Sequence, residues 1–202
     1  MGLFPVFLKL KGRRCLVVGA GTVAEAKVRG LLEGGGEVYV VGPNPTETLR
    51  QWAREGKLVW HSRVFVPADL DGMFLAVVAT SSRQLNERVY QEASCRGVLC
   101  NVVDDPAHCD FYYGAVVRRG PLQIAISTSG CSPALAQRLR RKFEKQFGPD
   151  YGAWVEQLSQ TRQILLAQTM DPNRRQQLLQ DLASGKRYAA FMRSKVSKRR
   201  VE

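Results

Sequence analysis

The first hundred residues alternate short, wholly apolar runs with stretches of helical periodicity. "RCLVVG" (14–19) has no polar alternation, the pattern of a parallel strand covered on both faces. Residues 22–33 set Val23, Ala24, Lys27, Val28, Leu31 and Leu32 at helical spacing, and "GGG" (34–36) stops that helix. "EVYVVG" (37–42) predicts a second strand, and "PTETLRQWAREG" a helix capped by Thr46 and ended by Gly56. "LVWHSRVF" predicts a third strand, "MFLAVVAT" (73–80) a fourth, "RQLNERVYQEASCRG" a helix, and "VLCNVV" (98–103) a fifth strand. This β-α-β-α order implies an α/β fold, a Rossmann-type doubly wound parallel sheet with right-handed crossovers.

The rhythm changes near residue 111. "FYYGAVVRRGPLQIAIST" reads as two strands joined across "RRGP" with no helix between them. In "SPALAQRLRRKFEKQF" Ser132 is a natural N-cap and Pro133 a natural first helical residue. Ala134, Leu135, Leu139 and Phe143 form its apolar stripe, with basic residues around the rest. Helical stretches follow at about 150–168 and 173–183, and then a basic tail, "KRYAAFMRSKVSKRR". The expected organisation is a dinucleotide-binding domain over 1–113, a small α+β segment over 114–149 and a small helical region over 150–202.

Charge separates these parts. Residues 1–114 carry 13 basic and 12 acidic side chains, whereas residues 115–202 carry 17 basic and 6 acidic. The second part is therefore suited to a negative partner: nucleic acid, a membrane surface or a polycarboxylate. No apolar run is long enough to span a bilayer, and "MGLFPVFLKLKGRR" lacks the order of a signal peptide, so a cytoplasmic protein is expected. The five cysteines (15, 95, 100, 109, 131) show no CxxC spacing, which favours reduced thiols over a metal site.

Gly19-Ala20-Gly21-Thr22-Val23-Ala24 fits G-x-G-x-x-(G/A), between a predicted strand and a predicted helix. Gly19 allows the tight turn, and Gly21 lets the backbone approach a pyrophosphate. Ala24 lets the helix pack close to the strand, and the helix N-terminus offers free N–H groups to phosphate oxygens. The acid that usually holds a ribose hydroxyl at the end of the second strand is missing. Asn44 offers a weaker substitute there, beside the Gly42-Pro43 backbone. No arginine directly follows the strand to favour a 2′-phosphate, so NAD is expected over NADP.

At "NVVDDPAHCDF" and "PLQIAISTSGCSPALAQRLRRKFE" the chain resembles the precorrin-2 dehydrogenase family, which also forms the N-terminal part of siroheme synthases. The resemblance runs from residue 3 to about 150. It includes "LFPVFLKLKGRRCLVVGAGTVAEAK", "AVVATSSRQLNERV" and "CNVVDDP". It implies NAD-dependent oxidation of precorrin-2 to sirohydrochlorin, and a homodimer formed largely by the segment after the dinucleotide domain. It assigns Thr22, Val23, Pro43, Asn44 and Thr80 to the cofactor beside Gly19 and Gly21. Asp104 is assigned to catalysis, and Asn101, Ser127, Thr128, Ser129 and Gly130 to the substrate. Ala20, Ala26, Gly114 and Cys131 depart from the family's usual residues; the first replaces a common glycine and the third a common proline.

The substrate so implied is a tetrapyrrole polycarboxylate, which suits the basic second part; Arg118, Arg119 and Arg138 are candidates to pair with its arms. Asp104, just beyond the fifth strand, is placed to accept a proton or to stabilise positive charge on the ring. Asp105 is expected to cap the turn, and His108 is a secondary acid/base candidate. Insertion of iron or cobalt into the product is a second reading, and a non-catalytic NAD or tetrapyrrole sensor a third. DNA binding through the basic tail is disfavoured by the lack of a reading motif, whereas contact with a pathway enzyme suits a basic terminus.

Overall fold

A computed structural model describes residues 2–198, with side chains described as far as residue 194; the end of the basic tail, residues 199–202, lies outside the described residues. The chain divides into two compact units, Met1–Tyr112 and Tyr113–Glu202.

The first unit is an α/β doubly wound fold. Its elements are β1 (Arg14–Val18), α1 (Thr22–Glu33), β2 (Glu37–Val41), α2 (Glu47–Arg54), β3 (Leu58–His61), β4 (Leu75–Val78), α3 (Arg83–Cys95) and β5 (Leu99–Val102). All five strands are parallel, in the order β3-β2-β1-β4-β5. Side chains alternate across a strand, so each apolar run supplies two cores. Cys15 and Val17 pack with Val38, Val40 and Val77 against Ala24, Val28 and Leu31 of α1 and Leu49 of α2. Leu16 and Val18 pack with Ala76, Val78, Cys100 and Val102 against Val89 and Ala93 of α3. Cover on both faces explains why the runs carry no polar alternation. Burial, reinforced by Glu37, pushes the Cys15 thiol up to about 11; burial, with Asp110 and Cys109 nearby, pushes Cys100 up to about 12. Both are inert core thiols.

The third strand is shorter than "LVWHSRVF" predicts. It stops at His61 because Arg63 turns back onto Asp69 at 2.6 and 2.8 Å, and Asp69 also accepts the Val66 amide. That clamp starts a short 3-10 turn, Pro67–Leu70, which seats fully buried Leu70 beneath α3.

In the second unit β6 (Ala115–Arg119) and β7 (Leu122–Ile126) form an antiparallel hairpin. Arg119 pairs with Leu122, so only Gly120-Pro121 make the turn, with Gly120 at φ 54°. Four helices follow: α4 (Pro133–Gln146), α5 (Asp150–Ala167), α6 (Pro172–Leu182) and α7 (Gly185–Lys198). The last is a finding that the sequence reading missed. Tyr188 and Phe191, read there as part of a basic tail, lie on a helix and join an aromatic cluster with Phe143, Phe147, Tyr151 and Trp154. Tyr188 stacks on Tyr151 at 4.3 Å between centroids. Among the described residues no helix is long and apolar enough to cross a membrane.

Arg119 differs from expectation. Its guanidinium donates to the Phe147 and Glu144 carbonyls at 2.8 and 3.0 Å and to the Arg118 carbonyl at 2.9 Å. It thus satisfies the orphan carbonyls at the end of α4 rather than standing ready for a ligand. Replacing it with Met should lower the unfolding free energy by about 2 kcal/mol. Urea denaturation followed by tryptophan fluorescence checks this, and a loss below about 0.5 kcal/mol contradicts it.

Candidate functional site

Because the sheet is parallel, the turns after β1, β2, β4 and β5 all open on one edge. These turns carry Gly19 and Gly21, Pro43 and Asn44, Thr80, and Asp104. In doubly wound sheets that edge is where ligands bind, at the strands where the winding reverses, here β1 and β4.

The two glycines of the turn are there for different reasons. Gly19 has φ 110°, and a Cβ on it would lie 2.3 Å from the Ala79 carbonyl oxygen. The fold itself excludes a side chain at that point. Gly21 has an ordinary extended backbone, φ −80° and ψ −172°, and a Cβ on it would meet nothing within 4 Å. Neither conformation nor packing within the chain requires glycine there. The space above the start of α1 is therefore open at Gly21. The first intrahelical bond runs from the Glu25 amide to the Gly21 carbonyl at 2.9 Å, and no side chain caps α1. The amides of Thr22 and Val23 therefore lie in the first turn with no helical partner, at the positive end of the macrodipole. A pyrophosphate fits that arrangement.

The adenosine side is built on Gly42. A Cβ there would lie 2.9 Å from that of Ala20, so the β2 turn crosses tightly under the glycine turn. Trp60 holds it by donating to the Gly42 carbonyl at 2.9 Å. The Thr46 amide donates to the Ala20 carbonyl at 3.0 Å, and its hydroxyl donates to Glu25 at 2.7 Å while accepting from Leu49 to cap α2. Pro43 and Asn44 are exposed above this frame. Thr80 is more occupied: its hydroxyl lies 2.5 Å from the Asn86 amide oxygen and accepts from the Ser82 amide at 3.2 Å. Its first task is to shape the entry to α3.

At the end of β5, buried Asn101 donates to the Phe111 carbonyl at 2.7 Å and to the Cys109 sulfur at 3.3 Å. Both donors of its amide nitrogen are spent pinning the following turn, so it shapes the site from beneath. Asp104 is exposed in that turn at φ 61°, a left-handed conformation that costs a non-glycine residue roughly 1–2 kcal/mol. Asp105 does not cap the turn with its side chain; its carboxylate sits 2.8 Å from His108 Nδ1, and His108 packs edge-on to Tyr90. That gives His108 a structural setting. Lys27, which the sequence reading left among the apolar positions of α1, comes into the field of Asp104. Its signal was a lysine on a stripe otherwise made of Ala24, Val28 and Leu31.

Ser127, Thr128, Ser129 and Gly130 belong to the second unit and form a turn of their own. Ser129 and Gly130 have φ 51° and 83°. The Ser129 amide donates to the Ser127 hydroxyl at 3.1 Å, and the Ser132 amide to the Thr128 hydroxyl at 3.0 Å. Ser132 then caps α4 by accepting from Leu135. The amides of Ser129, Cys131 and Ser132 are thus all spent within the turn.

A family model described as putative NAD(P)-binding matches residues 6–115, and one described as sirohaem biosynthesis protein, central, matches residues 119–146. The chain belongs to the putative NAD(P)-binding family. The siroheme synthase of Nitrosococcus oceani is 41% identical over 152 residues, covering 75% of this chain and 32% of that protein. That of Chromobacterium violaceum is 36% identical over 202 residues, all of this chain and 43% of that protein. The chain thus spans less than half the length of these curated relatives. A solved precorrin-2 dehydrogenase matches with a TM-score of 0.78 and 28% identity, covering 91% of each chain.

The contrast between the glycines is testable. Gly19→Ala should destabilise the fold by about 2–3 kcal/mol, since both φ and the Ala79 carbonyl oppose it. Gly21→Ala should leave stability within about 0.5 kcal/mol while weakening NAD binding by about tenfold or more. Thermal melts and quenching of protein fluorescence by NAD separate the two effects. Equal behaviour of the two variants in both measurements would contradict the assignment.

Proposed function

We propose that this protein oxidises precorrin-2 to sirohydrochlorin with NAD. The observation that carries the reading is the match to a solved precorrin-2 dehydrogenase over 91% of both chains, with an open glycine cradle and Asp104 on one sheet edge. The siroheme synthase relatives support the same substrate class. NAD, when bound, accepts the hydride that leaves the macrocycle. The Thr22 and Val23 amides hold its pyrophosphate, and Asn44 and the Gly42-Pro43 backbone flank its adenosine. Asp104 takes up the proton released as the ring is oxidised, or balances positive charge as it develops there.

Exposed Arg118 and Arg138 are the candidates to pair with the carboxylate arms of the tetrapyrrole. A homodimer and a soluble cytoplasmic setting belong to the same reading, with the segment after residue 113 as the interface.

Asp104→Asn tests the role most cleanly, because asparagine also tolerates a left-handed backbone. Under anaerobic conditions, wild-type protein with precorrin-2 and NAD should form NADH and sirohydrochlorin in equal amounts. The variant should lose about a hundredfold or more in kcat while its NAD Kd stays within about twofold. Parallel loss of turnover and NAD binding would remove Asp104 from catalysis. No NADH above the uncatalysed rate with wild-type protein would overturn the dehydrogenase reading.

A further inference from the structure

The acid that usually holds a ribose hydroxyl is missing from the end of β2, but a carboxylate reaches the adenosine side from α1. The turn after β2 is fixed on Ala20 at both ends. A Cβ on Gly42 would lie 2.9 Å from that of Ala20, and the Thr46 amide donates to the Ala20 carbonyl at 3.0 Å. Pro43 and Asn44 are held between those two points. At the far end of the turn Thr46 donates its hydroxyl proton to Glu25 Oε2 at 2.7 Å. Glu25 lies one turn along α1 from Gly21, whose carbonyl accepts the Glu25 amide at 2.9 Å. Glu25 is therefore tied both to the turn that carries the pyrophosphate amides and to the turn that flanks the adenosine.

Helix capping alone does not ask for this arrangement. Thr46 caps α2 through its oxygen, which accepts from the Leu49 amide at 3.2 Å, and the hydroxyl proton takes no part in the cap. An acid in the first turn of α1 gains from the macrodipole. The same carboxylate is a like charge beside a pyrophosphate site, where it costs dinucleotide affinity. The arginines around it are occupied. Arg29 pairs with Glu25 Oε1 at 3.1 Å and lies over the Trp52 ring at 5.2 Å, while Arg50 and Arg54 of α2 reach Glu47 at 3.7 and 3.4 Å. Recognition of a ribose 2′-phosphate calls for an arginine that can turn to it. Each arginine of α1 and α2 is instead paired with a carboxylate, and Glu25 is bonded to the turn itself.

We infer that Glu25 is a specificity-determining residue for the cofactor: anchored by Thr46, its charge repels the 2′-phosphate of NADP and admits the 2′-hydroxyl of NAD. This rests on the NAD-dependent dehydrogenase reading above. The repulsion acts across the turn and needs no contact with the ribose, so the charge of Glu25 matters rather than its shape.

The test needs no substrate. NAD and NADP are titrated separately against the full chain by quenching of protein fluorescence, and a thermal melt is recorded for every variant. Wild-type protein should bind NAD about tenfold or more tighter than NADP. Glu25→Gln keeps the size of the side chain and an acceptor for Thr46, and should narrow that ratio about fivefold. Arg29→Met strips Glu25 of its counter-charge and should widen the ratio, so the inference is tested even where the first variant does not fold. Added salt should narrow the ratio in the wild type. Wild-type protein that binds both dinucleotides alike overturns the inference. So does an unchanged ratio in folded Glu25→Gln, equal gains for NAD and NADP included, or a narrowed ratio in Arg29→Met. Failure to bind either dinucleotide overturns the inference together with the reading beneath it. A ratio that narrows as expected in a protein that does not oxidise precorrin-2 would sink the dehydrogenase reading and keep the role of Glu25.

Discussion

The first unit turns on the close passage of Gly19 over the Ala79 carbonyl. With no side chain at that point, the chain leaving β1 can cross the end of β4 and enter α1 at once. The Gly19 amide bonds the Val41 carbonyl at 2.8 Å, and the Ala79 amide bonds the Val18 carbonyl at 2.8 Å. The ends of β1, β2 and β4 are therefore locked together around one residue. The direction of α1, and so the aim of its unpaired amides, follows from that lock.

Much of this was legible in the sequence because many of its elements obey local rules. Uninterrupted apolar strands, Thr46 and Ser132 as caps, Pro133 at a first helical position and the glycine turn each have a short-range cause. The features that escaped are long-range. Nothing near Arg63 announces that it will clamp Asp69 and cut β3 short, and nothing near Arg119 shows that the end of α4 will lie within reach. The last helix was hidden because "KRYAAFMRSKVSKRR" is dominated by charge, while the spacing of Tyr188 and Phe191 matters only once Tyr151 and Trp154 stand opposite.

Part of the positive charge in the second unit is spent within it. Arg119 closes α4, Arg140 pairs with Glu144 at 2.7 Å, and Arg187 pairs with Asp181 at 2.9 Å. These residues hold helices in place. Arg118, Arg138, Arg141, Lys142 and Lys145 are exposed, and exposed pairs would add little stability in any case.

The account depends on direct transfer between substrate and NAD at the edge that carries Gly21 and Asp104. The measurement that addresses it most directly is anaerobic turnover of precorrin-2 deuterated at its saturated ring carbons, with mass spectrometry of the NADH formed. The account predicts NADH carrying one deuterium per sirohydrochlorin, formed at a rate that falls with Asp104→Asn in step with kcat. NADH without deuterium, or sirohydrochlorin formed with no NADH, would contradict it.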